Sequence, residues 1–206
     1  MVTLLQVKSS ILGDHSQSGA LADEFVRRWQ AAHPDGQVVV RDLGAEPVPH
    51  LDGERLAAFA SDEAGRSATQ QAVVAQSDAL IQEVRDADLL VVGVPMYNFS
   101  IPSQMKAWFD HLARAGVTFR YTENGPVGLL ADRPVMLFAT RGGIYQGNGV
   151  DYQTPFLKQF FGLLGLQDLH FVYAEGLNLG DDPKQQALTR AHATLDTLVD
   201  VARRAA

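Results

Sequence analysis

Three short stretches hold the side chains best placed to do chemistry. In the first, Ser10, Ser16 and Ser18 surround the Gln17 amide in a hydroxyl-rich turn that opens a helical pattern. Hydroxyls and free first-turn N–H groups at a helix start can neutralise a phosphate without a lysine, because the helix dipole favours an anion there. The same serines would also serve as ordinary N-caps. The second stretch, Met96-Tyr97-Asn98-Phe99, combines a thioether, two rings and an amide. That set suits a flat heterocycle stacked against side chains while backbone N–H groups bond its polar edge. The alternative is that Met96 and Phe99 plug a core. The third stretch is Thr140-Arg141-Gly142-Gly143, whose consecutive glycines let a backbone approach a ligand face closely.

Other chemistries lack their residues. The chain has no cysteine, which excludes disulfides, thiolate nucleophiles, iron–sulfur clusters and cysteine zinc sites, so any redox chemistry must come from a cofactor. The six histidines show no two-ligand spacing on a helix, and no metal site is expected. His111 reads as a helix-surface or core residue beside Asp110, and Asp181-Asp182 as acids favouring a helix dipole. No Gly-x-Ser-x-Gly elbow or phosphate-binding P-loop is present, and Gly142 to Gly147 lacks dinucleotide-fingerprint spacing. A net charge of −7 without clustered Lys and Arg argues against a nucleic-acid surface. No apolar run approaches the roughly 20 residues that cross a bilayer. The first residues carry no signal-peptide pattern, so no membrane association and a cytoplasmic location are expected.

The elements that must carry these stretches alternate. Thr3 to Val7, Gln37 to Leu43, Leu89 to Val94, Pro134 to Ala139 and His170 to Ala174 read as strands; Leu89 to Val94, apolar and rich in β-branched residues, suits one buried on both faces, and Pro134 to Ala139 reads as another buried strand. Between them, helical spacing predicts helices from about Ser16 to Ala32, Gln70 to Asp86, Ser103 to Leu112, Thr154 to Leu164 and Asp182 to Ala205. Arg120 to Leu129, with Asn-Gly and Pro, predicts a turn-rich ribbon or loop. Residues 44–69, broken by Pro and Gly, predict a flap with a short helix around Glu54 to Phe59. At 206 residues this is one α/β domain, 1–206, of five strand–helix units. In a doubly wound parallel sheet of order 2-1-3-4-5, helices cover both faces and the first, third and fourth strands are neighbours. The three stretches follow those strands, so their loops can close on one ligand. Trp108 and Phe109 sit at core-like spacing that also fits an interface.

The same residues carry a resemblance. Lys8-Ser9-Ser10-Ile11-Leu12 with Ser16-Gln17-Ser18, Pro95 to Phe99, the run Ala113 to Pro126, and Arg141-Gly142-Gly143-Ile144 are similar to the bacterial FMN-dependent NADH-azoreductase / NAD(P)H:quinone oxidoreductase family, over nearly the whole chain. The resemblance implies a flavodoxin-like homodimer with one FMN per subunit at the dimer interface. Carried over, Ser10, Ser16, Gln17 and Ser18 would hold the FMN phosphate. Met96, Tyr97, Asn98 and Phe99 would bracket the isoalloxazine and ribityl chain. Thr140, Arg141, Gly142 and Gly143 would line the pyrimidine side. Tyr121, reaching toward the partner's site, would join Phe99 and Tyr145 in the substrate pocket. The implied reaction is ping-pong: NADH or NADPH reduces the flavin, then a quinone or azo compound is reduced, with no obligatory protein acid or base. Asn98 and Tyr145 take orienting roles. Where the family carries histidine after Arg-Gly-Gly-Ile, this chain has Tyr145, whose phenol is neutral at pH 7 and offers no cationic donor to a reduced flavin. The poorly matched segment from Leu51 to Ala68, with Arg55 and Arg66, leaves the choice between NADH and NADPH open. The other reading is a flavodoxin-like electron carrier or regulatory module without NAD(P)H turnover.

Overall fold

The apolar runs become the strands of a single parallel sheet in the computed structural model, which describes residues 2–205. In chain order the elements are β1 (Thr3–Lys8), α1 (Gln17–Ala32), β2 (Gln37–Asp42), α2 (Gly53–Ala60), α3 (Ala68–Asp86), β3 (Leu89–Pro95), α4 (Ser103–Leu112), β4 (Phe119–Thr122), β5 (Gly125–Gly128), β6 (Val135–Thr140), α5 (Gln153–Leu164), β7 (Leu169–Ala174) and α6 (Asp181–Ala205). The sheet order is β2-β1-β3-β6-β7, all parallel, which is 2-1-3-4-5 of the five main strands. Every residue of β3 and β6 is buried, because helices cover both faces of the central strands.

Side chains alternate between two apolar layers, as the pleat dictates. Leu5, Val7, Leu90, Val92 and Leu137 face α3, α4 and α5, whose Ile81, Trp108, Phe109 and Phe161 complete one core. Leu4, Val91, Met136 and Phe138 face α1 and α6, whose Phe25, Trp29 and Leu195 complete the other. Trp108 and Phe109 are fully buried, and the Phe109 ring stacks on Phe160 with centroids 3.7 Å apart. Their spacing therefore belongs to the core, where a fully buried aromatic contributes about 1.5–3 kcal/mol.

Two connections carry structure of their own. Arg120 to Leu129 contains the antiparallel β4–β5 hairpin, with Tyr121 opposite Pro126. Within 44–69, α2 covers the expected short helix; Asp52 caps it by accepting from the Arg55 N–H at 2.8 Å. α2 lies on α3 and buries Ala58. His111 reaches back from α4 to the Pro49 carbonyl at 3.0 Å, and its ring meets Phe59 edge-on at 5.5 Å. Ser67 and Gln70 form a capping box that starts α3 at Ala68. Val73, in the first turns of α3, is half-buried.

Candidate functional site

Strand register brings the three loops together. β3 and β6 pair from Leu90↔Val135 to Pro95↔Thr140, so both strands end level. The Met96 N–H then donates to the Thr140 carbonyl at 2.8 Å. One strand over, the Ser9 hydroxyl donates to the Gly93 carbonyl at 2.7 Å, holding the first loop against β3.

In the first loop Ser16 takes an extended conformation and N-caps α1, accepting from the Gly19 N–H at 2.9 Å. The cap leaves the Gln17 and Ser18 N–H groups at the head of α1 without an acceptor among the described residues. The Ser16 and Ser18 hydroxyls lie 3.1 Å apart, and Ser10 Oγ accepts from the Leu12 N–H at 3.2 Å. Tyr97 fastens the second loop to the first: its phenol oxygen lies 3.1 Å from Ser10 Oγ and accepts from the Ile11 N–H at 3.3 Å.

The second loop is a tight turn. Tyr97 and Ser100 exchange two main-chain hydrogen bonds of 3.0 Å, while Asn98 and Phe99 both lie in the left-handed region, with φ of 48° and 67°. Asn tolerates that region; Phe does so at a cost of about 1–3 kcal/mol. The turn drives the Phe99 ring outward, 55% exposed.

The third loop turns Arg141 away from the cleft. Its fully buried guanidinium bonds Asp151 at 2.9 and 3.0 Å, Glu175 at 2.9 Å and the Thr154 hydroxyl at 2.8 Å, and lies 5.0 Å over the Tyr173 ring. Arg141 thus meets the cleft through its main chain. Burial alone would push the Asp151 carboxyl up, but the Thr154 N–H and hydroxyl and the Arg141 guanidinium together hold it below its ordinary value. The loop is laced to the segment after β7: Leu177, Asn178 and Gly176 donate to the carbonyls of Arg141, Gly142 and Gly143 at 3.1, 3.0 and 2.9 Å.

The cleft between these loops is lined by Ser10, Ser16, Gln17, Met96, Tyr97, Thr140, Arg141 and Gly142 from the expected set. Asn98 lines an adjoining recess with Ile11, Met96, Tyr97 and Ile101. Ser18 is buried behind the first loop. Phe99 and Tyr145 stand edge-to-face at 5.8 Å, and the Tyr145 ring covers Gly143. Tyr121 stays out of the cleft of its own subunit; it lies on the hairpin against Phe119, 75% exposed. Outside the expected set, Leu12, His15 and Pro95 line it beside the first two loops, and so do three residues from beyond β7, Leu177, Asn178 and Lys184. The signal for these last three was topological: the loop after the fifth strand ends at the same sheet edge. No described helix is long and apolar enough to cross a membrane.

Residues 2–199 match the family described as having a flavodoxin-like fold. A relative from Cellvibrio japonicus, named FMN-dependent NADH:quinone oxidoreductase, is 56% identical over 93% of this chain and 95% of its own length. One of the same name from Alcanivorax borkumensis is 53% identical over 94% and 98%. Among solved structures, an azoreductase from Bacillus anthracis superposes with a TM-score of 0.86 at 29% identity, covering 99% of this chain and all of the other. A B. anthracis FMN-dependent NADH-azoreductase in complex with FMN gives 0.84 at 27% identity, over 96% and 99%. With these matches spanning the sheet, the three loops and nearly the full length, the chain belongs to the FMN-dependent NADH:quinone oxidoreductase / azoreductase family of flavodoxin-like fold.

Proposed function

We propose that this chain binds FMN in the three-loop cleft and uses it to pass two electrons from NADH or NADPH to quinones, and in repeated cycles to aromatic azo bonds. The observation that carries the reading is the head of α1. Two unpaired N–H groups, from Gln17 and Ser18, converge there with the Ser10 and Ser16 hydroxyls at the edge where β3 and β6 end level. That donor set fits a phosphate bearing two negative charges, and it lies within reach of a loop rich in rings and main-chain N–H groups.

Ser10, Ser16, Gln17 and Ser18 hold the phosphate in this reading. Met96 to Phe99 bracket the ring system and ribityl chain, with the Asn98 main chain orienting the central ring. Thr140, the Arg141 main chain, Gly142 and Gly143 face the pyrimidine edge. FMN, when bound, would supply the redox chemistry, hydride uptake from the nicotinamide and two-electron reduction of the acceptor, which with two protons becomes a quinol. The protein's part is stacking, hydrogen bonding and exclusion of water, with no obligatory side-chain acid or base. Tyr145 would orient the acceptor with its ring, which stands edge-to-face with Phe99.

A second copy of the chain completes the site in this proposal. Tyr121, Ile144 and Phe99, which are 75%, 60% and 55% exposed, give the hairpin and the cleft rim an apolar surface that a partner subunit would cover. The deciding experiment purifies the protein, titrates it with FMN and follows reduction by NADH, then by NADPH, in a stopped-flow mixer before adding benzoquinone. Yellow protein reduced by the pyridine nucleotide and reoxidised by the quinone is expected. Protein that takes up no FMN sinks the reading, and protein that takes it up but is not reduced by either nucleotide is an electron carrier instead.

A further inference from the structure

Glu175 follows directly after β7, outside the three stretches that line the cleft. One carboxylate oxygen, Oε1, accepts from Arg141 Nη1 at 2.9 Å, from the Tyr145 N–H at 2.9 Å and from the Gln146 N–H at 3.1 Å. The arrangement is an acid–guanidinium–acid chain, Glu175–Arg141–Asp151, with side chains 12%, 0% and 14% exposed. Charge-assisted bonds in so sheltered a place are strong and directional.

Beyond these bonds the turn is held, among the described residues, only from within, by Asn148, whose side-chain amide donates to the Ile144 carbonyl at 2.6 Å and whose N–H donates to the Tyr145 carbonyl at 3.3 Å. Gln146 to Val150 is exposed, Gly147 and Gly149 take positive φ, and the Tyr145–Phe99 contact is one edge-to-face pair at 5.8 Å. The Tyr145 ring lies so close over Gly143 that a Cβ there would come within 3.0–3.1 Å of it. Its position closes the third loop onto the second, so whatever fixes the Tyr145 main chain sets how wide the cleft opens.

We infer that Glu175, locked by Arg141, is a positioning residue that fixes Tyr145 against Phe99 and thereby selects acceptors by size. This rests on the quinone-reducing reading above. Glu175→Ala removes the acceptor for both N–H groups, whereas Glu175→Gln keeps an oxygen in the same place and leaves Arg141 paired with Asp151.

The test compares kcat/KM for benzoquinone and for a bicyclic naphthoquinone in wild type, Glu175→Ala, Glu175→Gln, Tyr145→Ala and the Glu175→Ala/Tyr145→Ala double variant. The expected result is a shift in the ratio of about ten-fold toward the naphthoquinone in Glu175→Ala, reversed to within a few-fold of wild type in Glu175→Gln. The double variant should shift no further than Tyr145→Ala alone. A merely structural glutamate would lower both rates together and leave the ratio unchanged, and effects that add in the double variant would equally overturn the inference.

A second arm needs no turnover. In FMN-free protein, amide hydrogen exchange at Tyr145 and Gln146 should quicken in Glu175→Ala and stay protected in Glu175→Gln. Unchanged exchange refutes the anchoring, while wild-type protein that shows the exchange result but no quinone reduction refutes the functional reading instead.

Discussion

Asn98 and Phe99 show what a residue type concedes to its position. Both occupy left-handed backbone, and a phenylalanine there stores strain that glycine would not. Because the Phe99 ring is 55% exposed, removing it forfeits little burial. Phe99→Gly is therefore expected to leave the melting temperature unchanged or raise it, by up to about 1 kcal/mol of stability, while weakening FMN and acceptor binding. Thermal unfolding beside an FMN titration checks both halves. Ser16 carries two tasks at once. Ser16→Ala should cost about 1 kcal/mol through the lost cap on the Gly19 N–H, and should weaken FMN further than the unfolding data alone explain. These residues were legible in the sequence because hydroxyls before a helical pattern, and rings after an apolar run, are local signals. The direction of Arg141 was not, since it depends on Asp151, Thr154 and Glu175, which approach only after the chain has folded.

At the scale of elements, the central strands β3 and β6 could be read because burial on both faces leaves an unbroken apolar run, and the three loops followed from strand order. The hairpin was harder to read. Asn124-Gly125 marks a turn, but nothing local says that β5 docks on the end of α5. That docking is close: a Cβ added at Gly128 would fall 2.1 Å from the Gly165 nitrogen and 2.3 Å from the Leu164 carbonyl carbon. Gly165 itself ends α5 in the left-handed region at φ 101°, and the Leu130 N–H donates to the Leu164 carbonyl at 3.0 Å. Backbone cannot move aside as a flexible side chain can. Gly128→Ala should therefore lift the hairpin off α5 at a cost of several kcal/mol, read as a lower urea midpoint. If Tyr121 reaches a partner's cleft, the same variant should also weaken dimerisation in sedimentation experiments. A variant with wild-type stability would show that the hairpin tolerates a shift.

For the whole molecule, the response to acid follows from groups on opposite sides of the sheet. Burial lowers the His111 pKa, and the guanidiniums of Arg55 and Arg114 lower it further, against the opposing pull of the Pro49 carbonyl and Asp110. The unfolded chain takes up a proton near 6.5, which the folded chain refuses until lower pH. The stability tied to neutral His111 is therefore complete above 6.5 and is lost as pH falls from there through the folded value. Glu24 works in a lower window. Hydrogen bonds from Arg27 and Arg28 lower its pKa from 4.5 to about 2, so its contribution is complete above 4.5 and disappears as pH falls toward 2. Asp151, also depressed, adds to the loss below its unfolded value of 3.8. The urea midpoint should thus be flat above pH 7, decline gently once pH falls below 6.5 and fall steeply below 4.5. His111→Gln, which can still donate to the Pro49 carbonyl, should be less stable at pH 7 yet lose the decline that begins at 6.5, before the carboxylates titrate. A decline of undiminished slope in that variant would assign the titration to another group, whereas its loss would identify the α4 histidine under α2 as the first point at which acid loosens this fold.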